Sequence, residues 1–209
     1  MMIRTLVADD HAIVRQGLKQ ILTDTSDIVV SSEAAHGEEV LDQLAKQPVD
    51  VVLLDITMPG RSGFEVLQDI RRHHKTLPVL ILSAHPEELY AIRALKAGAS
   101  GFMNKEAATE ELLTAVHKIL QGKKYIPYSV AEKLLDTNVH GNQQPHELLS
   151  DREMDVLQKI ASGKTVSEIA NELSLSVNTI STYRTRLLEK LSLTSNAALT
   201  RYAIDHSLI

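Results

Sequence analysis

The chain of 209 residues contains no cysteine, which excludes a disulfide scaffold, a zinc–thiolate site and a cysteine nucleophile. It also lacks long apolar runs. Stretches such as Val79 to Leu82 fall far short of the ~20 residues a membrane-crossing helix requires. The N-terminus, MMIRTLVADD, reaches two aspartates within its first ten residues, unlike a secretory signal, so a cytoplasmic location and no membrane partner are expected. An overall basic excess is missing too, because the formal net charge is -5. Residues 148–209 carry seven Lys/Arg and seven Asp/Glu, leaving fifteen and twenty for residues 1–147. Acid is therefore concentrated in the first part, and any nucleic-acid role must rest on local pattern rather than bulk charge. With 44% hydrophobic and 23% charged residues, the composition is that of an ordinary globular protein. There is no internal repeat and no low-complexity segment.

What is present changes character along the chain. Through about residue 125, short continuous apolar runs alternate with amphipathic stretches. Ile3 to Ala8, Ile28 to Ser32, Val49 to Leu54, Leu77 to Leu82 and Gly101 to Met103 read as strands. Residues 11–24, 37–47, 62–73, 86–97 and 108–121 read as helices with apolar positions three and four apart. Continuous rather than alternating strands indicate a parallel sheet covered on both faces. The expected fold is an α/β doubly wound five-stranded parallel sheet over residues 1–121, of strand order 2-1-3-4-5. Residues 122–147 hold Gly122, Pro127, Gly141, Asn142 and Pro145 and read as a linker, with a short helix expected around Ser129 to Leu135. Residues 148–209 show no strand signal. Ser150-x-x-Glu153, Thr165-x-x-Glu168 and Ser176-x-x-Thr179 each precede an amphipathic run as helix caps do, and a fourth helix is expected from Ser195. An all-α, four-helix domain follows.

In doubly wound sheets chemistry gathers at the carboxyl ends of the strands. The first strand ends at Asp9-Asp10, the third at Asp55 and the fourth at Ser83, while the fifth runs into Lys105. Strands one and three are neighbours in the expected order, so three carboxylates would meet a hydroxyl and an ammonium. Packed carboxylates repel unless protonated or bound to a cation, and hard oxygen donors beside a phosphate suit Mg²⁺. The set reads as a site for phosphoryl transfer onto an aspartate. Taken singly, Asp10 is an ordinary helix cap and Lys105 a solvated side chain; the joint pattern at four strand ends is what carries the reading.

These residues resemble the receiver domain of two-component response regulators, through VADDH at 7–11, LLDITMPGRSG at 53–63, LILSAH at 80–85 and GASGFMNK at 98–105. The resemblance implies that Asp9 and Asp10 help bind Mg²⁺ and that Asp55 accepts a phosphoryl group from a sensor histidine kinase. It implies further that Thr57 offers its backbone carbonyl to the metal, that Ser83 and Phe102 form the switch pair, and that Lys105 binds phosphate. Glu106 departs from the family, which often has proline there. The protein is expected to be a regulator and not an enzyme, beyond transfer onto Asp55 and its slow reversal. A dehalogenase-like phosphohydrolase is the enzymatic alternative, but it would require an acidic residue where Thr57 stands.

In the last domain, a helical wheel from Val177 to Leu191 sets Ile180, Leu187 and Leu191 on one face, with Tyr183 and Leu188 flanking. Ser181, Thr182, Thr185 and Arg186 point the other way. A short helix over Val166 to Leu173, a tight LSLS turn and this longer helix have helix-turn-helix spacing. Such a second helix places its outer residues in the major groove, and Arg184, Arg186 and Lys190 are expected at phosphates. From spacing alone, a helical dimerisation module remains open. The segment is similar to the LuxR-type helix-turn-helix of the NarL/FixJ class, through Leu149-Ser150-x-Arg152-Glu153, Gly163, Glu168-Ile169-Ala170, Thr179-Ile180 and Lys190-Leu191. Tyr183 stands where histidine is frequent, and Ser181 and Thr185 where basic residues are. The resemblance implies DNA as a partner and a homodimer on phosphorylation. A regulator whose helical domain contacts protein rather than DNA is the second alternative.

Overall fold

The computed structural model describes residues 2–84, 87–107, 109–128, 130–131 and 144–209. The chain divides into two compact units between residues 139 and 140, each described by itself below.

The first unit runs β1 (Ile3–Ala8), α1 (Ala12–Thr23), β2 (Ile28–Ala34), α2 (Gly37–Lys46), β3 (Val51–Asp55), α3 (Gly63–His73), β4 (Val79–Ser83), α4 (Glu87–Lys96), β5 (Gly101–Asn104) and α5 (Thr109–Leu120). All five strands are parallel, in the expected order 2-1-3-4-5. Every residue of β3 and β4 is buried, which is why their sequences are apolar without alternation. Val7, Leu53, Leu80 and Leu82 meet Leu112, Ala115, Val116 and Ile119 of α5 in one core cluster. Register aligns the strand ends: Ala8 pairs with Leu54, Asp55 with Leu82, and Ser83 with Asn104. Asp9, Asp55, Ser83 and Lys105 are thus carried to the same edge of the sheet.

Two features sharpen that edge. The loop after β3 folds straight back, so that a Cβ on Gly63 would lie 2.0 Å from the Asp55 carbonyl oxygen; only glycine fits. Ser62 then opens α3 with a reciprocal capping box to Glu65, anchoring the loop. Beyond residue 121 the chain stays on the sheet. Tyr125 N donates to Ser100 O and Phe102 N to Tyr125 O, both at 3.1 Å, and Val130 is fully buried. The short helix expected at 129–135 falls mostly outside the described residues.

The second unit holds a 3-10 turn (Pro145–Leu148), α6 (Asp151–Ala161), α7 (Val166–Glu172), α8 (Val177–Lys190) and α9 (Asn196–Asp205). All four helices begin where the caps indicate. Ser150 and Thr165 make full capping boxes, and Ser176 and Ser195 accept from Thr179 N and Ala198 N. Each helix is followed by a residue of positive φ: Gly163, Ser174, Ser192 and Ser207, the left-handed turn that satisfies terminal carbonyls. Ile180, Leu187 and Leu191 are buried, as the wheel requires, and so are Leu157, Ile169, Leu173 and Leu199 on the other helices and turns of this unit.

Candidate functional site

At the carboxyl edge of the sheet, Asp9 and Ser83 are fully buried and Asp55 is 2% exposed. Lys105 reaches them from the end of β5. Its Nζ donates to Asp55 Oδ2 at 2.7 Å and lies 2.6 Å from Asp9 Oδ2. Asp9 Oδ2 is buried, and the ammonium it faces is the one already bonded to Asp55. Thr57 N donates to Asp55 Oδ1 at 3.1 Å, and His11 N to Asp9 Oδ1 at 2.9 Å. Lys105 N donates to Ser83 O at 2.8 Å, tying the β4 and β5 ends together.

The electrostatics follow from burial. Burial pushes the Asp55 carboxyl up to about 6; Lys105 opposes the shift and Asp9 adds to it. Burial alone would lower Lys105, but the charges of Asp55 and Asp9 hold it above the usual lysine value. Two buried carboxylates therefore share one ammonium, with the third, Asp10, at the rim. Oxygens of Asp9, Asp10 and Asp55 and a ring nitrogen of His11 lie within 4.8 Å of one another. Three clustered carboxylates with only one ammonium between them offer hard oxygen donors that fit a divalent cation such as Mg²⁺.

The acidic residues, Thr57, Ser83 and Lys105 singled out in the sequence are thus placed at or beside one site. Asp9, Asp10, Asp55 and Lys105 converge, Ser83 sits at the adjoining strand end, and Thr57 touches Asp55 through its amide. Phe102 is fully buried on β5. His11 was not anticipated. It follows directly on the acid pair, and its Nδ1 lies 2.8 Å from Asp10 Oδ1. At the family's frequent proline position, Glu106 N instead donates to Asn104 Oδ1 at 2.9 Å.

In the helical unit, Ser181, Thr182, Thr185 and Arg186 are all exposed on α8. A shallow cleft of ≈ 300 Å³ on this helix is lined by Asn178, Thr179, Thr182, Tyr183 and Arg186. The three cations expected at phosphates are not equivalent. Arg184 Nε donates to Asn196 Oδ1 at 2.5 Å. Lys190 Nζ donates to Glu153 Oε2 at 2.7 Å, where Glu153 is itself buried. Arg186 makes no hydrogen bond or ion pair among the described residues. No helix among them is long and apolar enough to cross a membrane.

Two family models match the chain: the response regulator receiver domain over residues 5–117, and the bacterial regulatory proteins of the luxR family over residues 147–203. The chain is 34% identical to the response regulator UvrY of Escherichia coli strain K12, covering 99% of this chain and 96% of that protein. It is 36% identical to the response regulator GacA of Pseudomonas viridiflava, covering 100% and 98%. Among solved structures, RcsB from Salmonella enterica serovar Typhimurium, bound to promoter rprA in the presence of the phosphomimetic BeF3-, superposes with a TM-score of 0.66 at 27% identity, over 97% of this chain and 98% of that one.

Proposed function

The chain belongs to the response regulators that join a receiver domain to a LuxR-family DNA-binding domain, and from that premise we propose that Asp55 is the phosphoacceptor controlling DNA binding by α8. The observation that carries this is the buried Asp55 carboxylate held 2.7 Å from Lys105, an ammonium it shares with the buried Asp9.

An oxygen of Asp55 attacks the phosphorus of a sensor kinase's phosphohistidine. A P–O bond forms as the P–N bond breaks, and the departing imidazole nitrogen keeps the electron pair and takes up a proton. Lys105 holds the incoming phosphoryl oxygens, and the Ser83 hydroxyl donates to them. Asp9, Asp10, Asp55 and the Thr57 carbonyl would hold Mg²⁺, which when bound neutralises charge on the phosphoryl oxygens. The acyl phosphate adds about -1.5 to -2 charge units. Drawing Ser83 toward that charge frees space into which Phe102 turns, and the altered α4–β5–α5 face favours a dimer. The chemistry ends on the protein's own side chain, so the chain acts as a cytoplasmic regulator rather than as an enzyme with an external substrate.

In the dimer, two copies of α8 read half-sites separated by about one helical turn, ~10 bp, or a multiple of it. The RcsB relative is bound to a promoter in the presence of a phosphomimetic, which supports a link between phosphorylation and DNA binding here. The test compares mass in solution by light scattering and affinity for selected DNA, with and without beryllofluoride and Mg²⁺. A dimer is expected, with affinity rising within the roughly 5- to 150-fold span of an allosteric coupling. A chain that stays monomeric with unchanged affinity would refute the coupling.

A further inference from the structure

The outward residues of α8 do not offer equal chemistry. Thr182 Oγ1 donates to Asn178 O and Thr185 Oγ1 to Ser181 O, each at 3.0 Å. A threonine hydroxyl carries a single proton. With that proton engaged by the carbonyl four residues back, each side chain shows the outside a γ-methyl and an oxygen that only accepts. The hydroxyl and methyl share one χ1 torsion, so turning one displaces the other. Residues three apart are neighbours on a helix surface, so the two methyls form one small apolar patch. The Ser181 side chain, by contrast, is exposed and its hydroxyl makes no hydrogen bond among the described residues.

In the major groove, thymine is the base that presents a methyl, and its adenine partner presents an N6 donor. A methyl beside an acceptor-only oxygen is the complement of an A·T pair. Next to this patch, in the cleft it shares with Thr182 and Asn178, stands Arg186, uncommitted among the described residues while Arg184 and Lys190 are engaged elsewhere. We infer that α8 selects its DNA site through thymine methyls packed on Thr182 and Thr185, with Arg186 supplying the charged contact beside them. This inference rests on the DNA-binding reading proposed above and specifies what that helix recognises.

The test begins with full-length protein activated by beryllofluoride and Mg²⁺, which selects duplexes from a random library. Each thymine of the selected site is then replaced singly by uracil, which removes the methyl and nothing else. One buried methyl corresponds to roughly a fourfold change in affinity, so uracil at the contacted positions should weaken binding about three- to fivefold. The preference for thymine over uracil should persist in Thr182→Val, which keeps methyls and loses the hydroxyl. It should vanish in the Thr182→Ser/Thr185→Ser double variant, which keeps hydroxyls and loses the methyls. Equal affinity for thymine and uracil at every selected position would overturn the inference while leaving DNA binding intact, and so would a preference surviving in the double serine variant. Failure to enrich any sequence would overturn the DNA-binding reading and this inference with it.

Discussion

The first unit sets two buried carboxylates, Asp9 and Asp55, against one lysine, whereas in the helical unit the buried Glu153 and Asp155 each face a cation of their own, Lys190 and Arg152. Glu153 accepts from Ser150 N at 2.6 Å and from Lys190 Nζ at 2.7 Å. The consequences for proton affinity are opposite. Burial raises Asp55 to about 6; Lys105 only partly opposes the shift and the charge of Asp9 adds to it. Burial also pushes Glu153 upward, but Lys190 and the Ser150 amide more than offset it, and the group ends below its ordinary value. A buried charge left under-satisfied is poised to take a ligand; one met by a cap and an ion pair holds a helix in place. Burial alone thus does not distinguish a site from a brace, while the balance of partners does.

The sharpest way to break this comparison is to neutralise each carboxylate without changing its shape. In chelator, ionised Asp55 opposes folding above pH 6, because its folded pKa stands above its ordinary 3.8. A shift of that size corresponds to at most about 3 kcal/mol. Asp55→Asn should therefore stabilise the metal-free first domain toward urea at pH 8, and the gain should shrink as pH falls from 6 toward 4. Glu153→Gln should do the reverse and cost about 1–3 kcal/mol at pH 8, since the stability Glu153 contributes is present above its ordinary pKa and lost on acidification. Equal signs for the two substitutions would dissolve the distinction.

A second test separates folding from recognition at Lys190. Its Nζ faces buried Glu153 and, at 3.5 Å, the Leu148 carbonyl. Lys190→Ala should destabilise the helical domain by about 1–3 kcal/mol, whereas Arg186→Ala should leave its melting unchanged and weaken DNA binding. If Lys190→Ala proves thermally silent but lowers the salt slope of DNA binding by about one unit, Lys190 contacts phosphate and the brace assignment is wrong.

The smallest expected effect lies on the first domain's surface. His117 Nε2 lies 2.9 Å from Asp27 Oδ2 and its Nδ1 2.8 Å from Leu113 O. The bond to Asp27 raises His117 despite partial burial, and the same bond lowers Asp27. The stability contributed by His117 is complete below its ordinary 6.5 and lost as pH rises through the raised value. That contributed by Asp27 is complete above its ordinary 3.8 and lost as pH falls through the lowered value. Both groups are solvent-accessible, so the pair is weak. His117→Gln should lower the urea midpoint slightly between about pH 4 and 6.5 and converge with wild type by pH 9; a constant offset across that range would count against the pair.

What could be read in advance divides along similar lines. Sheet order, strand ends and helix caps are local or periodic signals, so VVLLD ending at Asp55 and the three S/T-x-x-E/T caps led directly to β3, α6, α7 and α8. Convergence of Asp9, Asp55 and Lys105 followed from topology once the order 2-1-3-4-5 was adopted. The tie between Lys190 and Glu153 spans 37 positions and leaves no pattern in sequence, which is why Lys190 was grouped with phosphate-facing cations. Arg184 was grouped likewise, because its tie to Asn196 depends on how α9 packs. Tyr125 on the β5 edge joins through backbone groups that every residue but proline possesses, so the sequence from 122 reads as a linker. The engaged hydroxyls of Thr182 and Thr185 are rotamer choices that a helical wheel does not show.

The central claim is that the under-satisfied pocket around Asp55 is where the phosphoryl group is received. Intact mass of the full-length chain, after incubation with acetyl phosphate and Mg²⁺, tests it most directly. The account predicts a gain of one phosphoryl group that is removed by hydroxylamine, absent when the metal is chelated, and absent in Asp55→Ala. A gain that persists in Asp55→Ala, or that forms equally well in chelator, would contradict it.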